Sequence, residues 1–305
     1  MISLRNAVKN YLAMRRALGY ALRDREHPLG QFVSFMEQEK ASTITSDLAL
    51  RWAKQPCNVH PSWWAKRLSF IRGFARYQSA FDPRTELPPQ RLLPGYQRKT
   101  PYIYSDEDIR RLLKAARRLP PQGLQRQTYP TVFGLLAVTG LRISEALALQ
   151  RSDVDLNAGL LTIRLTKFKK SRLVPIHPST CKALLGYARR RDAVHPETPA
   201  FFVSADGRPL TYWTVRSILI QLLCRIGLRK PGDRSGPCLH GLRHRFAIQT
   251  LLRWYRSGVD VERRLPMLST YLGHACVTDT YWYLSAVPEL LALTSNRLEK
   301  RWEGL

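Results

Sequence analysis

The sequence predicts a mainly α protein in two domains: an N-terminal all-helical domain, then a mixed, mostly helical domain with a small antiparallel β-sheet. Three observations carry this. Apolar residues recur at helical spacing along most of the chain, alternating β-branched residues are confined to one stretch, and a proline-rich segment separates two regions of different pattern. At 305 residues the chain can hold two sizeable cores.

Taken in order, Leu4, Val8, Leu12 and Met14 form one apolar stripe. Phe32, Phe35 and Met36 form a second, and Leu68, Ile71, Phe74 and Ala75 a third. Ser46-Asp47 marks the start of a helix through Leu50 and Trp52. These place an all-helical domain at residues 1–81. Residues 82–101 contain five prolines and a glycine, so 82–104 reads as an interdomain linker. The second domain, 105–305, opens at Ser105, an N-cap with Asp108 three residues on and acids preceding bases. Tyr129–Leu149 is a further helical pattern, broken at Thr139-Gly140. Leu160–Ile176 alternates β-branched residues about a basic centre and reads as a hairpin with a lysine-rich turn. Helical patterns return at Thr180–Arg191, Trp213–Ile226, His240–Tyr255, Pro266–Leu272 and Pro288–Trp302.

The charge balance narrows the function. Lys and Arg number 49 against 23 Asp and Glu, a net +26. A surplus of that size argues for a polyanionic partner, because each neutralised phosphate releases counterions and adds affinity. A very soluble or RNA-associated basic protein is the plainer alternative. Residues 1–95 carry fifteen basic and seven acidic side chains and the remainder 34 and 16, so both halves should touch the polyanion. The five cysteines are scattered, odd in number and without a CxxC, which fits a reducing cytosol. No signal-peptide pattern opens the chain and no stretch reaches about 18 apolar residues, so a soluble, intracellular protein is expected.

Four separated segments hold the residue types needed to grip and cleave a phosphodiester. In Thr139-Gly140-Leu141-Arg142-Ile143-Ser144-Glu145, Gly140 permits a close turn, and Arg142 begins a helix with Glu145 one turn on. The hairpin carries Lys167, Lys169 and Lys170. In His240-Gly241-Leu242-Arg243-His244, His240 and Arg243 share a helix face. Leu272-Gly273-His274 is followed nine residues later by Tyr283. Arginine offers a planar fork of donors to phosphate oxygens, and a tyrosine with an ordinary pKa of about 10 needs a base or a cationic site to react. Arg142 alone could be a surface residue paired to Glu145. His240 and His244 could ligate zinc with Cys238 and Cys276, but Cys-x-His-x₃-His is not a usual closed zinc site.

Together these segments resemble the active site of the tyrosine recombinases, the family of Cre, the Xer proteins and phage integrases. TGLRISE, TKFKKSRLVP, HGLRH and LGHACVTDTYWY match in order and spacing from about Ser105 onward. The helical half before them is similar to that family's core-binding, DNA-clamping domain in size, basicity and position, without a specific motif. The resemblance implies that Tyr283 is the nucleophile, forming a 3′-phosphotyrosine and a free 5′-hydroxyl. Arg142 and Arg243 would hold the phosphate, His240 assist proton transfer, His274 hydrogen-bond the phosphate, and Lys167 protonate the departing oxygen. Glu145 would brace the site, while Lys169, Lys170 and Arg172 contact DNA. Tyr281 and Tyr271 are rival nucleophiles, and the offset from His274 selects Tyr283. His244 is expected to be structural, and Gly241 stands where the family often has Asp.

The same resemblance implies site-specific recombination of double-stranded DNA without metal, cofactor or ATP, in integration or excision of a mobile element. Expected partners are three further copies in a tetrameric synapse, with the tail helix 288–302 docked on a neighbour, and sister recombinases or accessory factors. The alternative is that the tail folds back on its own domain. The expected location is cytoplasmic, at the nucleoid. A catalytically silent DNA-binding accessory protein of the same fold and a type IB topoisomerase are the alternatives; the full catalytic set speaks against the first, the short helical half against the second.

Overall fold

The computed structural model describes residues 3–20, 22, 24–97, 100–120, 123–164, 171–233, 235–285 and 288–303. The chain divides into two compact units, 1–99 and 100–305.

Unit 1 is built from α1 (Leu4–Ala17), α2 (Glu26–Gln38), α3 (Ser46–Lys54) and α4 (Pro61–Gln78). Three of the four starts have a local cause in a cap or a proline. Ser3 and Thr45 accept backbone N–H bonds as N-caps of α1 and α3, and Pro61 occupies the first turn of α4, where its missing N–H costs nothing. The core collects Leu12, Leu29, Phe32, Met36, Trp52 and Phe74. Met14, expected in the first stripe, is 40% exposed, and Tyr11 is buried in its place. Residue 14 lies two positions beyond Leu12, which on a helix points it away from the stripe. Among its described residues the proline-rich segment has no helix or strand, and its first part is laid against the helices of unit 1. Glu86 accepts the Ser46 amide at 2.7 Å, and Arg72 donates to the Pro88 and Pro89 carbonyls at 2.8 and 2.6 Å.

Unit 2 holds α5 (Asp106–Ala116), α6 (Gln125–Thr139), α7 (Ile143–Ala148), a 3₁₀ turn (Arg151–Asp153), β1 (Val154–Asp155), β2 (Leu160–Ile163), β3 (Arg172–Pro175) and α8 (Pro178–Val194). It continues through α9 (Tyr212–Arg225), α10 (Leu239–Arg256), α11 (Val261–Leu272), α12 (Thr278–Ser285) and α13 (Pro288–Glu303). Ser105 and Asp108 close a reciprocal capping box at the start of α5. The three strands are antiparallel in the order β1-β2-β3, with Leu161 opposite Val174 and Ile163 opposite Arg172. Two structural points extend the sequence reading: α11 begins at Val261 under an Asp260 cap, upstream of Pro266, and Tyr283 sits on a short helix of its own.

Two apolar clusters fill unit 2, and α10 joins them. Leu239 and Leu242 belong to the first, with Phe133, Leu161, Val174, Phe202 and Leu222. Ala247, Ile248, Leu251 and Leu252 belong to the second, with Leu265, Leu272, Tyr283 and Leu290. Arg243 therefore lies where the two clusters meet. Helix α13 lies against α10 and α12 with Leu290 fully buried, so in the single chain the tail folds back on its own unit. Leu291 and Trp302 on the same helix stay exposed. Among the described residues, no helix is long and apolar enough to cross a membrane.

Candidate active site

The centre of the site is one buried carboxylate and the carbonyl end of one helix. Glu145, with its side chain 6% exposed, accepts from Arg142 Nη1 and Arg172 Nη2, each at 2.8 Å, and from Arg172 Nη1 at 3.1 Å. It also accepts the Arg142 amide at 3.0 Å, as the third residue of α7 capping its own helix. The last carbonyls of α11, which have no partner within the helix, take the remaining donors. Tyr271 O accepts from Arg172 Nε at 2.9 Å, Leu272 O from Arg243 Nη2 at 2.9 Å, and Gly273 O from Arg142 Nη2 at 2.8 Å. Arg243 Nη1 donates to Gly140 O at 2.8 Å.

Both glycines of this frame sit in the left-handed region, Gly140 at φ 62° and Gly273 at φ 70°, where they end α6 and α11. A Cβ on Gly273 would stand 2.6 Å from the Arg172 guanidinium, and one on Gly140 2.5 Å from the Phe246 ring. The two turns thus carry the backbone carbonyls close enough to hold the arginines. Gly241 has a spatial reason of its own, because a Cβ there would meet the Tyr104 ring at 2.9 Å.

The electrostatics follow from this packing. Burial alone would raise the Glu145 pKa, but hydrogen bonds and charge from Arg172, then Arg142, outweigh it and hold the carboxyl below its ordinary value. Burial, then the neighbouring charge of Arg142, lowers Arg243 to about 10, while the Tyr283 hydroxyl acts in the opposite direction through a side-chain hydrogen bond. His274 is pushed down to about 4, first by burial and then by Arg243 and Arg142, so it is neutral at pH 7. Its Nδ1 lies 2.7 Å from Oγ1 of the fully buried Thr280. Three guanidinium groups against one carboxylate leave the frame with a surplus of two positive charges.

Tyr283, 3% exposed, lies against this frame. Its ring is nearly parallel to that of His274 with centroids 6.1 Å apart, and lies 5.5 Å from His244 and 5.3 Å from Trp282. His240, exposed on the first turn of α10, stacks edge-on against His244 at 4.3 Å. Of the rival tyrosines, Tyr281 is 51% exposed, and the Tyr271 hydroxyl donates to the Pro175 carbonyl at 3.2 Å. The structure thus brings together Arg142, Glu145, Arg243, His274 and Tyr283, with His240 at the edge. Lys167, Lys169 and Lys170 lie outside the described residues, between Arg164 and Ser171.

Arg172, expected on DNA, has an 11% exposed side chain, and its Nε, Nη1 and Nη2 all donate to acceptors of the protein. It sits opposite Ile163 at the end of β3 and ties that strand to Glu145 and to the end of α11. Its sequence signal, a basic residue beside a lysine-rich turn, is the same for either role. Thr280, the partner of His274, was not anticipated, since a lone hydroxyl carries no spacing rule; His244, expected to be structural, lies beside Tyr283. Among the described residues, no three His, Cys, Asp or Glu side chains form a group that could hold a metal ion, so Cys238 and Cys276 do not close one with His240 and His244.

A mainly helical unit with a small antiparallel sheet, arginines gathered from separate elements and a buried tyrosine beside them defines a tyrosine-recombinase fold. Residues 103–289 match the Phage integrase family, and the chain belongs to it. Among its relatives, the integrase/recombinase y4rB of Sinorhizobium fredii is 49% identical over 99% of each chain. The tyrosine recombinase XerD of Lacticaseibacillus casei is 27% identical over 90% of each. The Tn1549 transposon integrase, solved with transposon right end DNA, superposes with a TM-score of 0.71 at 15% identity, covering 96% of this chain and 98% of that one. XerH, solved on a palindromic difH substrate, gives 0.68 at 19% identity over 98% and 86%. At those identities the likeness is one of fold.

Proposed function

We propose that this recombinase cleaves and rejoins DNA strands at specific sites through a 3′-phosphotyrosine intermediate, in the integration or excision of a mobile element. The observation that carries the reading is the setting of Tyr283, held beside a frame with two surplus positive charges and a neutral histidine. A phosphodiester brings one negative charge and gains a second in the pentacoordinate transition state. A preorganised frame of that charge stabilises the transition state more than the ground state.

In the proposed step, Tyr283 Oη attacks phosphorus and the bond to the 5′-oxygen breaks. The tyrosine proton passes toward His240, and Lys167 protonates the departing oxygen. Arg142 and Arg243 turn donors to the non-bridging oxygens. In the tautomer where Thr280 donates to Nδ1, the His274 proton sits on Nε2, ready for the same phosphate. The phosphotyrosine conserves the energy of the broken bond, so a 5′-hydroxyl from a second duplex reverses the step without ATP or metal. Unit 1 would clamp the duplex, with Lys169 and Lys170 on its backbone. In a tetrameric synapse, α13 would exchange its own-unit contacts for a neighbour, offering Leu291 and Trp302.

Covalent trapping tests the reading. Wild-type protein and Tyr283→Phe are incubated in EDTA with nicked fragments of the DNA flanking the gene, and SDS-resistant adducts are counted. The expected result is adducts with wild type alone. Adducts that persist in the variant would transfer the nucleophile to Tyr281 or Tyr271. Tight binding without adducts from either protein would instead make this a DNA-binding accessory protein.

A further inference from the structure

Unit 1 contains a buried positive charge that the chain itself does not neutralise. Arg67 on α4 is 8% exposed. Its guanidinium carbon lies over the Trp52 indole, 3.6 Å from the ring centroid, and Nη2 donates to the Trp52 carbonyl at 2.9 Å. Nε has no hydrogen-bond partner among the described residues. Burial lowers the Arg67 pKa with no carboxylate acting against it. Among the described residues the other buried arginines have more acceptors: Arg243 donates to two carbonyls, and Arg191, whose Nε likewise lacks a partner, donates to Asp192 and to the Thr198 and Ala200 carbonyls. Stacking on an indole and one neutral acceptor offset only part of the cost of desolvating a guanidinium.

The arginine borders a cavity of about 470 Å³. Across it lie Gln31, Ser34 and Gln38, successive turns of one face of α2, and Gln55 at the end of α3. Three amides and a hydroxyl supply neutral donors around one cation, and no acidic side chain lines the space among the described residues. That donor set suits an anion with several oxygens, and the cavity exceeds what a lone chloride needs.

We propose that unit 1 carries a phosphate-binding pocket in which Arg67, stacked on Trp52 and faced by Gln31, Ser34, Gln38 and Gln55, receives a phosphate group, supplied in this recombinase by the backbone of bound DNA. The DNA source rests on the function proposed above; the pocket does not. A phosphate held there is anchored by a preorganised fork and would fix unit 1 in register on the duplex, independent of base sequence.

Thermal unfolding of the full chain in inorganic phosphate and in chloride at equal ionic strength tests the pocket directly. Phosphate should raise the wild-type midpoint by several degrees more than chloride does, through binding to the folded state. Arg67→Met should lose that difference while keeping or gaining stability in chloride, because an unpaired buried charge has been replaced by apolar volume. Gln38→Glu supplies the missing counter-charge from α2. It should raise the midpoint in chloride and abolish the response to phosphate, and it decides the matter if Arg67→Met fails to fold. An equal phosphate response in wild type and variants would overturn the pocket. The second arm measures affinity for non-specific duplex against salt, where Arg67→Met should reduce the log–log slope by about 0.9. A lost phosphate response with an unchanged slope would keep the pocket but overturn DNA as its source. Trapping at Tyr283 is scored separately, so failure of the catalytic reading is not confused with either result.

Discussion

At the scale of single residues, Glu145 and Arg172 decide whether the site exists before DNA arrives. Glu145 is the shared acceptor of two arginines from different elements, and replacing it by Gln leaves two guanidinium groups facing a neutral amide. Breaking a buried pair in this way costs about 3–5 kcal/mol. Urea unfolding of Glu145→Gln at pH 7 should show a loss of that order; a loss under 1 kcal/mol would mean that water replaces the carboxylate. The pH dependence has a definite sign. The folded Glu145 pKa is depressed, so its contribution is present above the unfolded value near 4.5 and vanishes as pH falls through the lower folded value. His274 adds a separate window. Its folded pKa near 4 lies below the unfolded 6.5, so the unfolded chain takes up the proton first and stability declines as pH falls from 6.5 toward 4. His274→Gln should flatten the curve in that upper window and leave the region below it sloping. Arg172 makes a sharper test, because its bonds are all internal. Arg172→Met should cut strand cleavage about 100-fold, the usual effect of a misplaced catalytic frame, with the salt dependence of DNA binding unchanged. A fall in the salt slope would return Arg172 to the DNA surface.

At the scale of elements, legibility tracked whether the determining signal was local. Helix α5 and the β2–β3 hairpin could be read directly, since a capping box and an alternating pattern are complete within a few residues. The start of α11 was less legible because Pro266 drew attention to itself, whereas the true start is the Asp260 cap accepting from Arg263. The offset from His274 singles out Tyr283 in the sequence, but its helix could not be read there. TYWYLS has no polar face, and its burial comes from α10 and α13 rather than from its own periodicity. Motif residues can be read from spacing and the frame that orders them cannot: carbonyls of Tyr271, Leu272 and Gly273 leave no trace in side-chain spacing. The attachment of α13 yields an elemental prediction. Leu290 is fully buried against α10, so Leu290→Ala should cost about 2–5 kcal/mol of local stability. Hydrogen exchange should then quicken in α13 and α12 well before it changes in α6. Uniform quickening across unit 2 would show that the tail is an integral part of the core and not a detachable element.

At the scale of the whole molecule, the question is what two basic units on one chain achieve that one does not. Each has its own apolar core, and each carries a surplus of positive charge, ten within residues 1–99 and sixteen within 100–305. If both units hold phosphates at once, their counterion terms add, and the second contact becomes intramolecular once the first is made. The full chain should therefore show a log–log salt slope close to the combined slopes of fragments 1–99 and 100–305, with an affinity exceeding either fragment by a factor of 100 or more, on the order expected for linked sites. Fluorescence anisotropy on one duplex at four salt concentrations measures all three slopes. A full-chain slope equal to that of 100–305 alone would mean that unit 1 does not touch the backbone, and would remove both the clamp and the phosphate pocket's DNA source. A slope near the combined value with no gain in affinity has a different meaning: both units touch the backbone at once, but ordering the chain to hold them there offsets what the second contact contributes.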